Sequence, residues 1–198
     1  SERIGGQFDL ARRVPGKEEF EETLRYFRVR LEQLGVVVKL GTRVAAGDLV
    51  GSFDAVVLAT GVLPRRPAIP GIRGDVEVGP TVAVIGAGGI GFDVAEFLTH
   101  VAPEGKSAVD AYLDEWGVDR SLSSRGGLKA PEAPAPARQV TMCQRKAGKP
   151  GDRLGKTTGW IHRTTLKNRG VEMLSAVQYL RIDDEGLHIT VDGEPRLL

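Results

Sequence analysis

The chain holds a single cysteine, Cys143, among its 198 residues. One thiol cannot form an internal disulfide, and the chain alone cannot supply a four-cysteine iron–sulfur site or a cysteine-based zinc site. Aromatic residues are also scarce, at 6% of the sequence, so aliphatic side chains must fill the core. The low cysteine content is typical of a reducing compartment, and we expect a cytoplasmic location.

Two further absences restrict the classes of partner. The 27 Lys and Arg residues nearly balance the 26 Asp and Glu residues, which argues against an extended nucleic-acid-binding surface but allows a local basic cluster to bind a phosphate. No apolar run approaches the roughly 20 residues that span a bilayer, and the N-terminus lacks a signal-peptide pattern. We therefore expect neither a nucleic-acid partner nor a membrane partner.

Glycine, in contrast, is abundant, with 26 residues, and hydrophobic residues make up 41% of the chain. In the first third, apolar residues at helical spacing predict a helix that begins near Gly16 and ends at Gly35. The apolar runs 36–40 and 53–60 predict strands, the second of them buried in a parallel sheet. Residues 1–15 show no clean periodicity, which indicates a loop.

A segment rich in proline and glycine, 61–80, predicts a linker, and we place a domain boundary in it that divides the chain into 1–75 and 76–198. Beyond it the predicted strands are 81–85, 138–143 and 171–174, and the predicted helices are 90–100, 108–116 and 160–169. The tail alternates apolar and polar residues between turns, which predicts an antiparallel meander from residue 177 onward. The sequence therefore predicts an α/β protein with a Rossmann-like parallel sheet and an antiparallel β-meander.

The clearest motif is G-A-G-G-I-G, which follows a predicted strand and opens a predicted helix. Its glycines fit the G-x-G-x-x-G pattern of dinucleotide-binding loops. In that pattern the first glycine permits a tight turn, the second lets the backbone approach a pyrophosphate, and the third lets the helix pack against the strand. Because the N-terminus of a helix attracts phosphates, we expect this loop to bind a dinucleotide. Its residues are Gly86, Ala87, Gly88, Gly89, Ile90 and Gly91.

The end of the next predicted strand indicates which dinucleotide is bound. Domains that prefer NAD carry a carboxylate there, and it binds the ribose hydroxyls. This strand ends in Gln144-Arg145-Lys146, which offers no acid and places two cations where a 2′-phosphate would lie. The pattern favours NADPH, with a plain solvated loop as the alternative for Arg145 and Lys146. The spacing exceeds the usual separation of about 20 residues, so residues 101–137 are predicted to be an insertion.

Other residues that could carry chemistry have plainer explanations. The stretch G-D-R-L-G-K-T-T resembles a nucleoside-triphosphate loop, but Pro150 stands where that pattern needs a glycine. His162 belongs either to an ordinary core-and-surface helix or to a wall of the nicotinamide pocket. The 3 histidines share no metal-ligand spacing, and Cys143 is expected to be a buried small hydrophobe. We predict neither a metal site nor a catalytic residue in this chain.

Longer motifs run through nearly the whole chain. They are I-G-G-Q-F, V-P-G-K-E-E-F-E-E-T-L-R-Y, A-T-G-V-L-P-R, I-G-A-G-G-I-G-F-D and Q-R-K-A-G-K-P-G-D-R-L-G-K-T-T-G-W-I-H-R-T-T-L. Together they resemble bacterial NADPH-dependent 2,4-dienoyl-CoA reductase, of the NADH:flavin oxidoreductase-like family. The last motif is long and specific, whereas A-T-G alone indicates only the wider class of flavoproteins with two dinucleotide domains.

This resemblance implies a larger enzyme in which NADPH reduces FAD. Electrons then pass through an iron–sulfur cluster and FMN to a dienoyl thioester of fatty acid β-oxidation. The FMN, the cluster and the substrate site belong to an N-terminal barrel, which is the implied partner of this chain. The chain itself would comprise part of the FAD-binding domain, 1–75, and much of the NADPH-binding domain, 76–198.

The resemblance also assigns residues by motif. The loop glycines would hold the NADPH pyrophosphate, and Arg145 and Lys146 would contact its 2′-phosphate. Residues expected near FAD are Ile4, Gly5, Gly6 and Gln7, and those expected to join the domains close to the flavin are Ala59, Thr60 and Gly61.

Departures from the family pattern limit what the chain is expected to do alone. It lacks a glycine loop for FAD and the cluster cysteines, and its linker at 72–80 is shorter than the family's. We therefore expect a fragment that neither reduces a dienoyl thioester nor retains stoichiometric FAD by itself. Two alternatives stay open: an electron-input module like that of trimethylamine dehydrogenase or of the glutamate synthase small subunit, and a non-catalytic nucleotide-binding module.

Overall fold

A computed structural model describes residues 1–74 and 77–198. The chain forms two compact units, Ser1–Pro67 and Ala68–Leu198, which we call the N-terminal unit and the C-terminal unit. The domain boundary predicted between residues 75 and 76 lies outside the described residues, so that division stays a prediction. None of the helices in the described ranges is long and apolar enough to cross a membrane.

The N-terminal unit contains two α-helices. The longer, α2 (Phe20–Gln33), confirms the predicted helix, and Gly35 ends it in a left-handed conformation with φ +64°. The shorter, α1 (Gln7–Ala11), lies where a loop was predicted, so that prediction is wrong. A tertiary contact explains why this helix forms: Phe8 packs on Phe20 of α2, with ring centroids 4.8 Å apart. A helix that depends on one such contact is too short to show an apolar periodicity in the sequence.

The strands predicted at 36–40 and 53–60 are also wrong, because both segments are irregular and exposed. Within the second, Val57 is 87% exposed and Leu58 is 81% exposed. A parallel strand is stable only with a hydrogen-bonded neighbour and cover on both faces. Residues 1–67, all of which the structure describes, contain no strand that could provide that neighbour.

The C-terminal unit is built on a parallel three-stranded sheet in the order β1-β2-β3. Its strands are β1 (Thr81–Ile85), β2 (Gln139–Cys143) and β3 (Glu172–Leu174), close to the predicted ones. Apolar side chains on one face pack against helices α3 (Gly89–Thr99) and α5 (Gly159–Asn168), with Met142, Phe92 and Leu166 fully buried. Because side chains alternate along a strand, Cys143 faces the other side.

The second face is covered by the predicted meander, which forms a separate antiparallel sheet in the order β4-β5-β6. Its strands are β4 (Val177–Asp183), β5 (Gly186–Val191) and β6 (Glu194–Leu197). Val177 and Ile189 pack with Cys143 in a second apolar cluster. The fold class predicted from the sequence is therefore confirmed: a mixed α/β unit with a parallel sheet and a separate antiparallel one.

The last part of the proline-rich segment is anchored to this meander. The amide of Ile182 donates to the carbonyl of Pro70 over 2.8 Å. Gly71 has φ +84°, and a Cβ at that position would overlap the carbonyl oxygen of Ile182. Ile69 is buried. Residues 68–73 therefore belong structurally to the C-terminal unit, although they were predicted to be linker.

The predicted insertion, 101–137, forms a small appendage that we call the inserted segment. It carries α4 (Ala108–Glu115), whose first turn is capped by the Ser107 side chain. A largely buried ion pair attaches it to the end of α5: the guanidinium of Arg169, the C-cap residue, donates to Glu115 over 2.8 and 3.2 Å. Backbone and hydroxyl donors from 121–124 surround the Asp119 carboxylate and hold its pKa well below the usual range.

Candidate functional site

The parallel register brings two sequence-predicted groups to one edge of the sheet. Ile85 pairs with Cys143, so Gly86 and Gln144, the next residue of each strand, are neighbours. The Gly86 amide donates to the Cys143 carbonyl over 2.9 Å, which closes this edge. The glycine loop and the basic end of β2 therefore meet at the carboxyl ends of the strands, the usual place for a ligand in an open parallel sheet.

The four glycines of the loop play different structural roles. Gly86 has φ +122°, a conformation that side chains rarely adopt. A Cβ on Gly91 would overlap the carbonyl oxygen of Gly86, so this glycine is needed for the close contact between α3 and the strand end. Gly88 has φ −92°, and neither it nor Gly89 has any atom within 4 Å of where a Cβ would stand.

The folded chain thus gives no steric or conformational reason for Gly88 and Gly89. Both are exposed at the start of α3, where Gly88 is the N-cap and no side chain caps the helix. The first amides of a helix have no partner inside it, and its dipole favours an anion there. Open space above uncapped amides is what a phosphate needs, so the loop fits a dinucleotide pyrophosphate. Within the loop itself, Ala87 is buried and Ile90 is 80% exposed.

The cations predicted to read a 2′-phosphate stand next to this loop. Arg145 and Lys146 are exposed and form no ion pair with any residue in the described ranges. Gln144 stands at the position where NAD-binding domains carry an acid. Its side chain donates to the carbonyls of Lys146 and Gly148 in its own loop. The structure therefore brings two unpaired cations and no carboxylate to the end of β2.

A second basic segment follows and packs on the start of α3. Gly151 is buried, and a Cβ there would come within 2.6 Å of the Phe92 ring. The Arg163 guanidinium donates to the Gly151 carbonyl over 2.9 Å and fixes this segment. The exposed cations that the segment carries are Lys149, Arg153 and Lys156.

His162 has a partner that explains its position through helix packing. A hydrogen bond of 2.6 Å joins its Nδ1 to Glu96 Oε1, so it links α5 to α3. Glu96 is 9% exposed, and its carboxylate needs such a partner. Of the two interpretations left open by the sequence, the contact supports the core-and-surface helix.

Cys143 is buried, as predicted, and burial raises the pKa of its thiol to about 11. Thiolates are the reactive form of cysteine, and this one is suppressed at neutral pH. A group that the sequence analysis missed lies at the β4–β5 turn, where ligand atoms of Asp183, Glu185 and His188 fall within 4.8 Å of one another. Arg181 already donates to Asp183 over 2.8 Å, so we assign this group to the stability of the hairpin.

The residues predicted to lie near FAD belong to the N-terminal unit. Gly5 and Gly6 form a left-handed turn, with φ +116° and +52°, immediately before Gln7 begins α1. The second set, Ala59, Thr60 and Gly61, lies in an exposed irregular segment. Among the described residues no hydrogen bond joins the two sets, so their placement near a flavin stays a prediction.

Comparison with known proteins gives relatives at low identity. No known family profile matches the chain. It is 23% identical over 215 residues to a metal reductase of Desulforamulus reducens. That alignment covers 100% of this chain and 31% of the reductase. It is 28% identical over 141 residues to an NADH oxidase of Thermoanaerobacter brockii, which covers 63% of the chain and 21% of that protein.

A solved structure shares the fold along the full chain. The 2-naphthoyl-CoA reductase in complex with 2-naphthoyl-CoA superposes with a TM-score of 0.73 at 22% identity, over 100% of this chain and 26% of that one. The homologues are thus oxidoreductases, and the chain spans a third or less of the length of each. The mixed α/β fold of this chain is therefore shared with part of that reductase.

Proposed function

We propose that this chain is the NADPH-binding part of a flavoprotein oxidoreductase that transfers a hydride from NADPH to FAD. The observation that carries the proposal is the pairing of two features at one sheet edge. Gly88 and Gly89 leave open space above the uncapped start of α3, and the unpaired cations Arg145 and Lys146 stand at the end of the neighbouring strand. When bound, NADPH supplies the hydride and FAD accepts it.

The residues of the chain would position the nucleotide rather than react with it. The amides at the start of α3 would donate to the pyrophosphate, and the missing Cβ of Gly88 would let the backbone approach it. Arg145 and Lys146 would form charge-assisted hydrogen bonds to the 2′-phosphate. Gly86 and Gly91 support the site indirectly, because they allow the loop and helix to pack as they do.

For the whole protein we propose reduction of a 2,4-dienoyl-CoA thioester in the cytoplasm. The long motif that ends in G-K-T-T-G-W-I-H-R-T-T-L supports this substrate class. The fold shared with a reductase of another CoA thioester is compatible with it. The partner would be an N-terminal barrel of the same parent chain that carries FMN and an iron–sulfur cluster, and the flavin-side residues of this chain would be Gly5, Gly6, Gln7 and the set 59–61.

Calorimetric titration of the 198-residue chain with NADPH, NADH and FAD tests the nucleotide assignment. We expect NADPH to bind about 10-fold more tightly than NADH, because the 2′-phosphate gains exposed charge-assisted hydrogen bonds. The double variant Arg145→Ala, Lys146→Ala should lose this preference and leave NADH binding unchanged.

The matched control is Arg125→Ala, Lys167→Ala, which removes the same charge from the inserted segment and from the last turn of α5. It should keep the preference for NADPH. If NADH binds more tightly than NADPH, or if the double variant at 145 and 146 weakens both nucleotides equally, the NADPH assignment is wrong.

A further inference from the structure

We propose that Gln144 is a positioning residue that shapes the loop 144–148 for the 2′-phosphate and so contributes to the choice of NADPH over NADH. This inference rests on the proposed function. Gln144 is uncharged, so it would act on the phosphate only through the shape of the loop. The observations that lead to it are the hydrogen bonds of the Gln144 side chain and a strained residue, Ala176, whose amide donates to the same loop.

The backbone of Gln144 is fixed between two neighbouring segments. Its amide donates to the Leu174 carbonyl over 2.8 Å, and its carbonyl accepts from the Val177 amide over 3.0 Å. Both main-chain groups are thus used in extending the sheet edge beyond β2. The backbone of Gln144 cannot move without breaking these two hydrogen bonds, so the position of its Cα and the direction of its Cβ are fixed.

From that point the carboxamide reaches along its own loop. Gln144 Nε2 donates to the Lys146 carbonyl over 3.0 Å and to the Gly148 carbonyl over 3.3 Å. One amide group thus engages the negative ends of two carbonyl dipoles of the basic loop. The carbonyl oxygens of Lys146 and Gly148 are thus already hydrogen-bonded to Gln144. The loop can then present its cationic side chains to an anion while these two acceptors are occupied.

The Lys146 carbonyl also accepts from a second donor. The Ala176 amide donates to it over 3.1 Å, and Ala176 has φ +56°, a left-handed conformation that is costly for a residue with a Cβ. Strain of this kind persists where the surrounding structure fixes it, and it concentrates at functional sites. Two independent donors therefore converge on the residue that follows Arg145, which indicates a loop whose shape is specified.

An acid at position 144 would have the opposite effect. A glutamate has the shape of glutamine but no N–H to donate, so it would release the Lys146 and Gly148 carbonyls and repel them. It would also place a carboxylate at the strand end, where acids bind ribose hydroxyls and repel a 2′-phosphate. Gln144→Glu therefore combines the loss of both hydrogen bonds with an added carboxylate, whereas Gln144→Ala removes the hydrogen bonds without a change of charge.

The experiment measures the dissociation constants of NADPH and NADH, and the thermal midpoint, for Gln144→Ala and Gln144→Glu. We expect Gln144→Ala to weaken NADPH about 3- to 10-fold and to change NADH less than about 2-fold, since only the 2′-phosphate needs the ordered loop. Gln144→Glu should weaken NADPH further and bring the preference toward NADH. The matched control is Gln139→Ala, an exposed glutamine at the other end of β2, which should leave both constants unchanged.

Each outcome decides between the claims. If wild-type protein prefers NADPH and loses that preference in Arg145→Ala, Lys146→Ala but keeps it in both Gln144 variants, the proposed function stands and the role of Gln144 is wrong. If Gln144→Ala weakens both nucleotides equally, its role is structural only, and the inference is overturned. If the wild-type chain shows no preference for NADPH, the proposed function and this inference both fail.

Discussion

The two units of the chain differ sharply in how they use their apolar residues. The C-terminal unit buries two clusters, one on each face of its parallel sheet. In the N-terminal unit, residues 1–67 are all described, and Leu24 is the only buried side chain. Leu63, which is 93% exposed there, contrasts with Met142 of β2, which is fully buried.

An apolar run needs a hydrogen-bonded partner before it forms a strand. β1 and β2 pair residue for residue, from Thr81 with Gln139 to Ile85 with Cys143, and each covers the edge of the other. In the run 53–60, six of the eight residues are apolar, yet it has no strand beside it within its own unit. The backbone is tightly packed around the glycine loop of the C-terminal unit. Substitutions there should therefore lower the free energy of unfolding more than matched substitutions in the N-terminal unit.

Gly91→Ala should destabilise the folded protein more than any other substitution that we propose. Its new methyl group would overlap the backbone carbonyl of Gly86, which cannot move without distorting the loop and the strand end. We expect a loss of about 3 kcal/mol or more in the free energy of unfolding, measured by urea denaturation.

Gly47→Ala is the matched control in the N-terminal unit. Gly47 has no atom within 4 Å of its missing Cβ and no left-handed φ. We expect a change within about 0.5 kcal/mol. Equal destabilisation by the two variants would contradict the contrast drawn between the units.

A smaller loss is expected when the inserted segment is detached from α5. Arg169→Met leaves the nearly buried Glu115 carboxylate without its bidentate partner. Breaking a fully buried ion pair in this way costs about 3 kcal/mol in the free energy of unfolding. We expect a smaller loss here, because both groups keep some exposure. The double variant Arg169→Met, Glu115→Leu should recover most of the loss. A double-mutant cycle in urea measures this coupling, and a coupling near zero would show that the pair does not hold the segment.

The smallest change in stability is expected at alkaline pH, and it arises from two groups of the C-terminal unit. Burial raises the pKa of Cys143 from 9.0 to about 11 and that of Tyr179 from 10.0 to about 12. Because the unfolded chain loses these protons first, the stability they contribute is fully present below pH 9 and is lost as the pH rises through 11 to 12. Urea midpoints of the wild type should therefore fall between pH 9 and 11. Cys143→Ala should fall less steeply, and an equal slope in both would contradict the assignment.

Much of the C-terminal unit could be predicted from the sequence, for identifiable reasons. The run 81–85 and the glycine motif specify β1, the turn and α3 through local chemistry, so their bounds were predicted to within about a residue. α1 depends on the contact of Phe8 with Phe20, and the failed strands depend on neighbours that the unit does not contain. Neither dependence is visible in a local pattern.

The candidate site divides in the same way. The identities of Gly88, Arg145 and Lys146 predicted a phosphate loop and a basic strand end, and the parallel register explains why they meet. The role of Gln144 could not be predicted, because it depends on where the carbonyls of Lys146 and Gly148 lie after the chain has folded. The strained Ala176 likewise gives no signal in the sequence, since alanine is not the residue expected at φ +56°.

The thermal midpoint of Gly88→Val, measured with and without NADPH, shows whether the glycine loop is the nucleotide site. The conformation of Gly88 and the open space beside it allow a larger side chain in the ligand-free chain, whereas a bound pyrophosphate would be displaced by one. If the glycine loop is the nucleotide site, the variant should have a midpoint close to that of the wild type without nucleotide. Addition of NADPH should give no rise, because only a bound ligand shifts the unfolding equilibrium. A variant that still shows the full NADPH-induced rise would show that the glycine loop is not the nucleotide site.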